Sequence, residues 1–269
     1  MSNDSSKPAV VAATPEAPAK AVAKPSWWRP STAVLLAALL FLSVQVVASL
    51  PLLAYAGFRH WTAQQATDWS NGAYIQFLYV VLAEALTIAG VWWLLRFKGL
   101  RMRDIGWRWF NFMAVAYALC GFAVYFVSYG VLLAVTSVLV PSLNTNQQQD
   151  IGFQQVSGAG QLIVTFLSLV VLPPLAEETL FRGFLFTTFR RRMGFVVSML
   201  LVSALFAVPH LLEAEQSQGL LWVAGIDTFI LSLVLCFLRE RSNSLWPGIL
   251  LHGLKNGIAF VSLFLIHAR

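Results

Sequence analysis

Charge is scarce in this chain. Lysine, arginine, aspartate and glutamate make up 11% of its 269 residues, where a soluble domain carries about 25%. With 58% hydrophobic residues and a mean hydropathy of +0.70, that scarcity excludes an ordinary water-soluble domain and reads as a polytopic membrane protein. Cysteine is scarcer still. Cys120 and Cys236 both fall within apolar runs, so neither a disulfide nor a cysteine metal site is expected. No apolar stretch lies near the start, so no signal peptide is expected. Residues 1 to about 30 are instead rich in Ala, Pro, Lys and Ser and read as a disordered cytoplasmic tail. No GxSxG elbow and no HExxH run occurs, so two common hydrolase signatures are missing. No internal repeat is apparent, which gives an inverted-repeat transporter little support. The formal net charge of +6 does not point to nucleic acid, because the basic residues sit in short loops between apolar runs.

Aromatics and long apolar runs, by contrast, are plentiful. Ten tryptophans and twenty phenylalanines suit a lipid-facing surface with interfacial anchors. Trp27, Trp28 and Arg29 look like such an anchor for the first span. A spanning helix needs about 20 mostly apolar residues. The candidates are roughly 32–56, 73–96, 109–140, 159–189, 194–211, 219–238 and 244–266. The expected fold is all-α, a polytopic transmembrane bundle of about seven to eight spans with a polar site inside the membrane. The fourth candidate contains Pro173-Pro174, which must break or kink it, so an eighth short or re-entrant helix is allowed. Residues 1–30 are then a tail, 31–158 a set of N-terminal helices, and 159–267 the core that carries the polar residues.

The loops set an orientation. Lys7, Lys20, Lys24 and Arg29 lie in the tail, and Arg96, Lys98, Arg101, Arg103 and Arg108 in the second loop. Arg190, Arg191 and Arg192 follow the fourth span; Arg239 and Arg241 follow the sixth. The intervening loops carry only Arg59. This alternation places the N-terminus in the cytoplasm by the positive-inside rule. Short polar loops and an Ala/Pro/Lys tail read as bacterial, which suggests the inner (plasma) membrane.

Several residues are out of place in a bilayer, where a charge costs at least ~2.5–3.5 kcal/mol on insertion scales and usually marks a functional interior. They are Glu177, Glu178 and Arg182 in the fourth span, His210 ending the fifth, and His252, Lys255 and Asn256 in the last. Glu84 and Asp227 are more isolated. Residues four apart share a helix face, so Glu178 can pair with Arg182, while His252 and Asn256 point the same way. Glu177 is turned by about 100° from Glu178 and is left for another job. Counted along each helix, Glu177 lies about 20 Å, His210 about 24 Å and His252 about 13 Å from the basic end. All three fall within a hydrocarbon layer of ~30 Å and can meet in one cavity. Lone polar groups of this kind also serve as helix–helix glue, but six on three helices at compatible depths favour a site. Glu84 lines that cavity or pairs with Lys255; Asp227 is equally open.

The chemistry follows from the residue types. A glutamate beside a histidine can deprotonate a trapped water. A second histidine and an asparagine one turn apart can stabilise the oxyanion of a tetrahedral intermediate. Glu178 and Arg182 would fix the helix that carries Glu177. The set amounts to a hydrolase of amides or esters with water as nucleophile. A metal alternative uses the same atoms: Glu177, His210 and His252 would form a His₂Glu zinc set, but Glu177 could not then also be the base. Two readings from other classes remain. One is a non-catalytic peptide- or lipid-binding or immunity protein. The other is a proton-coupled transporter with Glu84, Glu177 and Asp227 as its relay.

At these residues the sequence resembles a known family. "EETLFR" (177–182) matches EExxxR, "FAVPH" (206–210) matches FxxxH, and "HGLKN" (252–256) matches HxxxN; "RSNSLWPGILLHGLKNG" (241–257) is similar to the usual approach to the last motif. The resemblance is to the CPBP family, the CAAX proteases and bacteriocin-processing enzymes also called Abi, which includes type II CAAX prenyl endopeptidases. It covers roughly residues 159 to 267. It implies an intramembrane endopeptidase of about eight helices acting on a membrane-associated protein or peptide. By that likeness Glu177 is the base, His210 helps to activate the water, His252 and Asn256 form the oxyanion hole, and Glu178 and Arg182 support the site. The resemblance carries both a metalloprotease label and a glutamate mechanism, and leaves zinc open as a cofactor.

Overall fold

A computed structural model describes residues 26–145, 152–153, 156–212 and 220–266. The tail expected at residues 1 to about 30 falls almost wholly outside them. Among the described residues every regular element is helical, as the apolar runs require. The elements are α1 (Pro30–Phe58), α2 (Ala63–Ser70), α3 (Ala73–Phe97), α4 (Met113–Leu139), α5 (Ala159–Arg190), α6 (Phe195–Leu212), α7 (Trp222–Ser242) and α8 (Trp246–Ile266). All but α2 are long and apolar enough to cross a membrane, seven spans among the described residues. Their ends fall within a few residues of the sequence reading.

Local rules explain the boundaries. Pro30 opens α1 and Pro247 lies in the first turn of α8, where a missing N–H costs nothing. The short α2 is held by a capping box. The Thr62 hydroxyl accepts from the Gln65 N–H, and the Gln65 side chain accepts from the Thr62 N–H. Between α3 and α4 a single 3₁₀ turn, Met102–Ile105, ends at Gly106 with φ +100°. A Cβ there would lie 2.7 Å from Nε of Arg239, so both the backbone and the space call for glycine.

The fourth span does not break at its prolines. Instead α5 runs through two π-helical stretches, Leu167–Val171 and Thr179–Leu185. An α-helix would have used the N–H groups of residues 173 and 174 on the carbonyls of Leu169 and Val170, and proline has none to give. The wider turn just before the prolines absorbs that loss, as π-bulges do.

Packing makes α5 the central element. It touches α1, α3, α6, α7 and α8, while α4 closes against α7 and α8 on the far side. One apolar core joins α1, α3, α5 and α6 around Leu95, Ile105, Phe184 and Phe186; a second joins α4, α7 and α8 around Ala118, Leu231, Leu235 and Leu251. Leu35, Leu42, Val127 and Leu139 point outward and are more than half exposed, as lipid-facing side chains are. Glu178 and Arg182 of α5 are therefore enclosed by protein, where intramembrane charges are tolerated.

Candidate active site

Glu178 and Arg182 are fully buried, and the Arg182 guanidinium donates from Nη1 to Glu178 Oε1 at 2.8 Å. The pair expected from their spacing is formed, and it extends further. The same Glu178 oxygen lies 3.2 Å from Nδ1 of His252 on α8. A carboxylate only accepts, so the His252 ring donates through Nδ1. That leaves Nε2 facing Glu177, whose Oε2 is 3.8 Å away. The two adjacent carboxylates thus flank one imidazole, one on each ring nitrogen.

Helix α8 can come this close because residue 248 is glycine. A Cβ there would sit 2.8 Å from Glu178 Oε2. One and two turns further on, Gly253 lies against the Val170 carbonyl and Asn256 donates from Nδ2 to the Leu169 carbonyl at 3.0 Å. These are the two carbonyls deprived of α-helical partners by Pro173 and Pro174. Asn256 is therefore held by the bulge in α5, with one of its two amide protons engaged.

Phe206, the first residue of the FAVPH motif, is the platform of the site. Its ring lies under the Arg182 guanidinium (Cζ 4.2 Å from the centroid) and against the rings of His210 (5.0 Å) and His252 (5.9 Å). A cation over an aromatic face is stabilised by the ring quadrupole. His210 Nδ1 donates to the Phe206 carbonyl at 3.0 Å, which makes Nε2 the acceptor of the neutral ring.

Glu177 and His210 line one small cavity of about 70 Å³, together with Glu84, Thr87, Gln45 and Phe206. A water needs only about 10–15 Å³ of such volume with polar partners. Glu84 is thus a cavity residue rather than a partner of Lys255. Lys255 instead pairs with Asp227 at 3.0 Å, and Asp227 also accepts from the Tyr125 hydroxyl. On the side away from the basic loops a second cavity of about 300 Å³ is bounded by α1, α2 and α3. Tyr79 lines it and hydrogen bonds to Gln45 of the inner cavity.

Sequence reasoning named Glu177, Glu178, Arg182, His210, His252 and Asn256, and the fold gathers all six around α5. It passed over Gln45 and Thr87. Gln45 is the only amide in the 29 apolar-rich residues of α1, and Thr87 follows Glu84 by three positions on the same face; both were signals. The metal alternative needs Glu177, His210 and His252 to converge. Among the described residues no three His, Cys, Asp or Glu side chains are grouped as metal ligands.

Fold and site together define a class: a multi-pass helical membrane protein with an ion-paired histidine–carboxylate cluster inside its bundle. Residues 159–258 match the family described as type II CAAX prenyl endopeptidase Rce1-like, and all three motifs fall within that stretch. An uncharacterised 24.3 kDa protein of Escherichia coli is 38% identical over 93 residues, 34% of this chain and 40% of that protein. The uncharacterised protein YyaK of Bacillus subtilis (strain 168) is 27% identical over 187 residues, 66% of this chain and 57% of that protein. The chain thus spans 40% and 57% of the lengths of these relatives. No solved structure matches.

Proposed function

We propose that this protein is an intramembrane endopeptidase that hydrolyses a membrane-associated protein or peptide, and that Glu177 is its general base. One observation carries the reading. Glu177 lines a small cavity with His210 while its carboxylate also faces His252. A water held between Glu177 and the Nε2 acceptor of His210 gives its proton to Glu177 as its oxygen attacks the peptide carbonyl carbon. The carbonyl oxygen becomes an oxyanion. When its ring carries a proton on both nitrogens, His252 donates to it from Nε2, and Asn256 donates its second amide proton. Glu177 then passes the proton to the leaving nitrogen as the C–N bond breaks. Glu178 and Arg182 do not touch substrate; they orient His252 and fix α5. The family match over residues 159–258 supports this reading, and the basic loops support a cytoplasmic N-terminus in a bacterial inner membrane.

The test uses purified protein in detergent with a fluorogenic peptide library, comparing wild type with Glu177→Ala and His252→Ala. Cleavage by wild type that both substitutions abolish is expected. Cleavage that survives both removes these roles, and no cleavage of any peptide favours the binding reading. A chelator that stops cleavage, with zinc restoring it, would replace the glutamate mechanism with a metal one.

A further inference from the structure

Away from the site, a groove of about 700 Å³ runs between α4 and α7, within the roughly 300–1,000 Å³ of small-molecule sites. Its walls include Tyr117, Cys120, Val124, Val234 and Phe237, and none of its lining residues is charged. At the end of the bundle that carries the basic loops it continues into a second cavity of about 300 Å³, and Met113 and Tyr117 line both. That second cavity is polar. Arg108 and Arg241 line it, no carboxylate does, and neither arginine is within ion-pair distance of one among the described residues. Arg241 lies with Cζ 5.3 Å over the Phe237 ring, so one cation stands at the mouth of the apolar groove. Beside it Trp109 and Phe112 are 86% and 83% exposed. Exposed aromatics next to arginines at a span end mark the headgroup level.

We infer that this composite groove is a binding site for an anionic phospholipid, with an acyl chain between α4 and α7 and the phosphate at Arg108 and Arg241. Charge complementarity selects that occupant. A hydrophobic partner helix would fill the α4–α7 groove but offer no anion to the two arginines at its mouth, whereas an anionic headgroup pairs them at the depth where they lie. Basic pockets between spans are suited to such headgroups. Arginine also presents a planar fork that matches phosphate oxygens.

Cys120 reports occupancy directly, because it is exposed in the groove while Cys236 is buried. The full chain in detergent is alkylated with a maleimide, and the mass of the Cys120 peptide is followed as phosphatidylglycerol or phosphatidylcholine of the same chains is added. Phosphatidylglycerol is expected to slow labelling at a roughly tenfold lower mole fraction than phosphatidylcholine. Arg108→Gln with Arg241→Gln should erase that preference, and the Lys pair at the same positions should retain most of it. Equal protection by the two lipids, no protection by either, or a preference that survives the glutamine pair would overturn the assignment.

Discussion

At the residue scale the two neighbouring glutamates have opposite jobs, and substitution should separate them. Glu178 accepts from both Arg182 and His252 in full burial. Removing its charge leaves the Arg182 cation buried without a counter-ion, which costs about 3–5 kcal/mol. Glu178→Gln is therefore expected to lower the melting temperature in detergent markedly, and activity would fall with the fold. Glu177 is partly exposed, 29% by its side chain, and stands 3.8 Å from His252 Nε2, a longer contact than the 3.2 Å that joins His252 to Glu178. Glu177→Gln should melt close to wild type. A thermal-shift assay on the two variants reads the difference. If both melt alike, the division of labour is wrong. Gly248→Ala makes a third case, because its new methyl meets Glu178 Oε2 at 2.8 Å. It is expected to reduce cleavage by displacing the carboxylate that orients His252, and His252→Gln should retain more activity than His252→Ala because an amide can still donate.

At the scale of the element, the central fact is a bulged helix stapled by its neighbour. Pro173 removes the donor that Leu169 would have had, and Asn256 supplies another from α8. Leaving a buried carbonyl unsatisfied costs about 1–3 kcal/mol, so Asn256→Ala should destabilise the bundle by that order. In a Pro173→Ala background the backbone N–H returns and the same substitution should cost less. The double-mutant cycle measures this as a coupling energy. A cycle with no coupling would mean that Asn256 does not answer for the proline. This staple was not legible in the sequence. The spacing of His252 and Asn256 placed them on one face, but a backbone carbonyl in another helix has no signature in the letters. The two prolines called for a break or a kink, and the wider π turn kept α5 continuous. Likewise the i, i+4 rule found Glu178 with Arg182, but the reach of His252 to Glu178 depends on how closely α8 approaches, which Gly248 permits. Asp227 with Lys255 was undecidable for the same reason: pairs across helices are set by packing, not by period.

For the whole molecule, more was readable. Hydropathy and helix length gave all seven spans to within a few residues, because a bilayer accepts little else. The three motifs gave the six residues that the bundle brings together. Only α2 was missed, although Thr62 and Gln65 have the spacing of a capping box. Seven spans put the two ends of the described chain on opposite sides of the membrane. Reporter fusions after the 3₁₀ turn at Met102–Ile105 and after Ile266 should therefore report opposite compartments, with the basic turn on the cytoplasmic side. Equal signals from both would show that a span has been miscounted. With the basic turn cytoplasmic, the cavity bounded by α1, α2 and α3 would lie on the non-cytoplasmic side; Tyr79 and Gln45 are the contact between it and the inner cavity.

The most direct test of the account is the cleavage rate of Glu177→Gln, measured on protein whose melting temperature matches wild type and with a peptide that wild type cuts. Loss of a general base predicts a fall of roughly 10²- to 10⁴-fold. A rate equal to that of wild type, from a protein equally well folded, would contradict it.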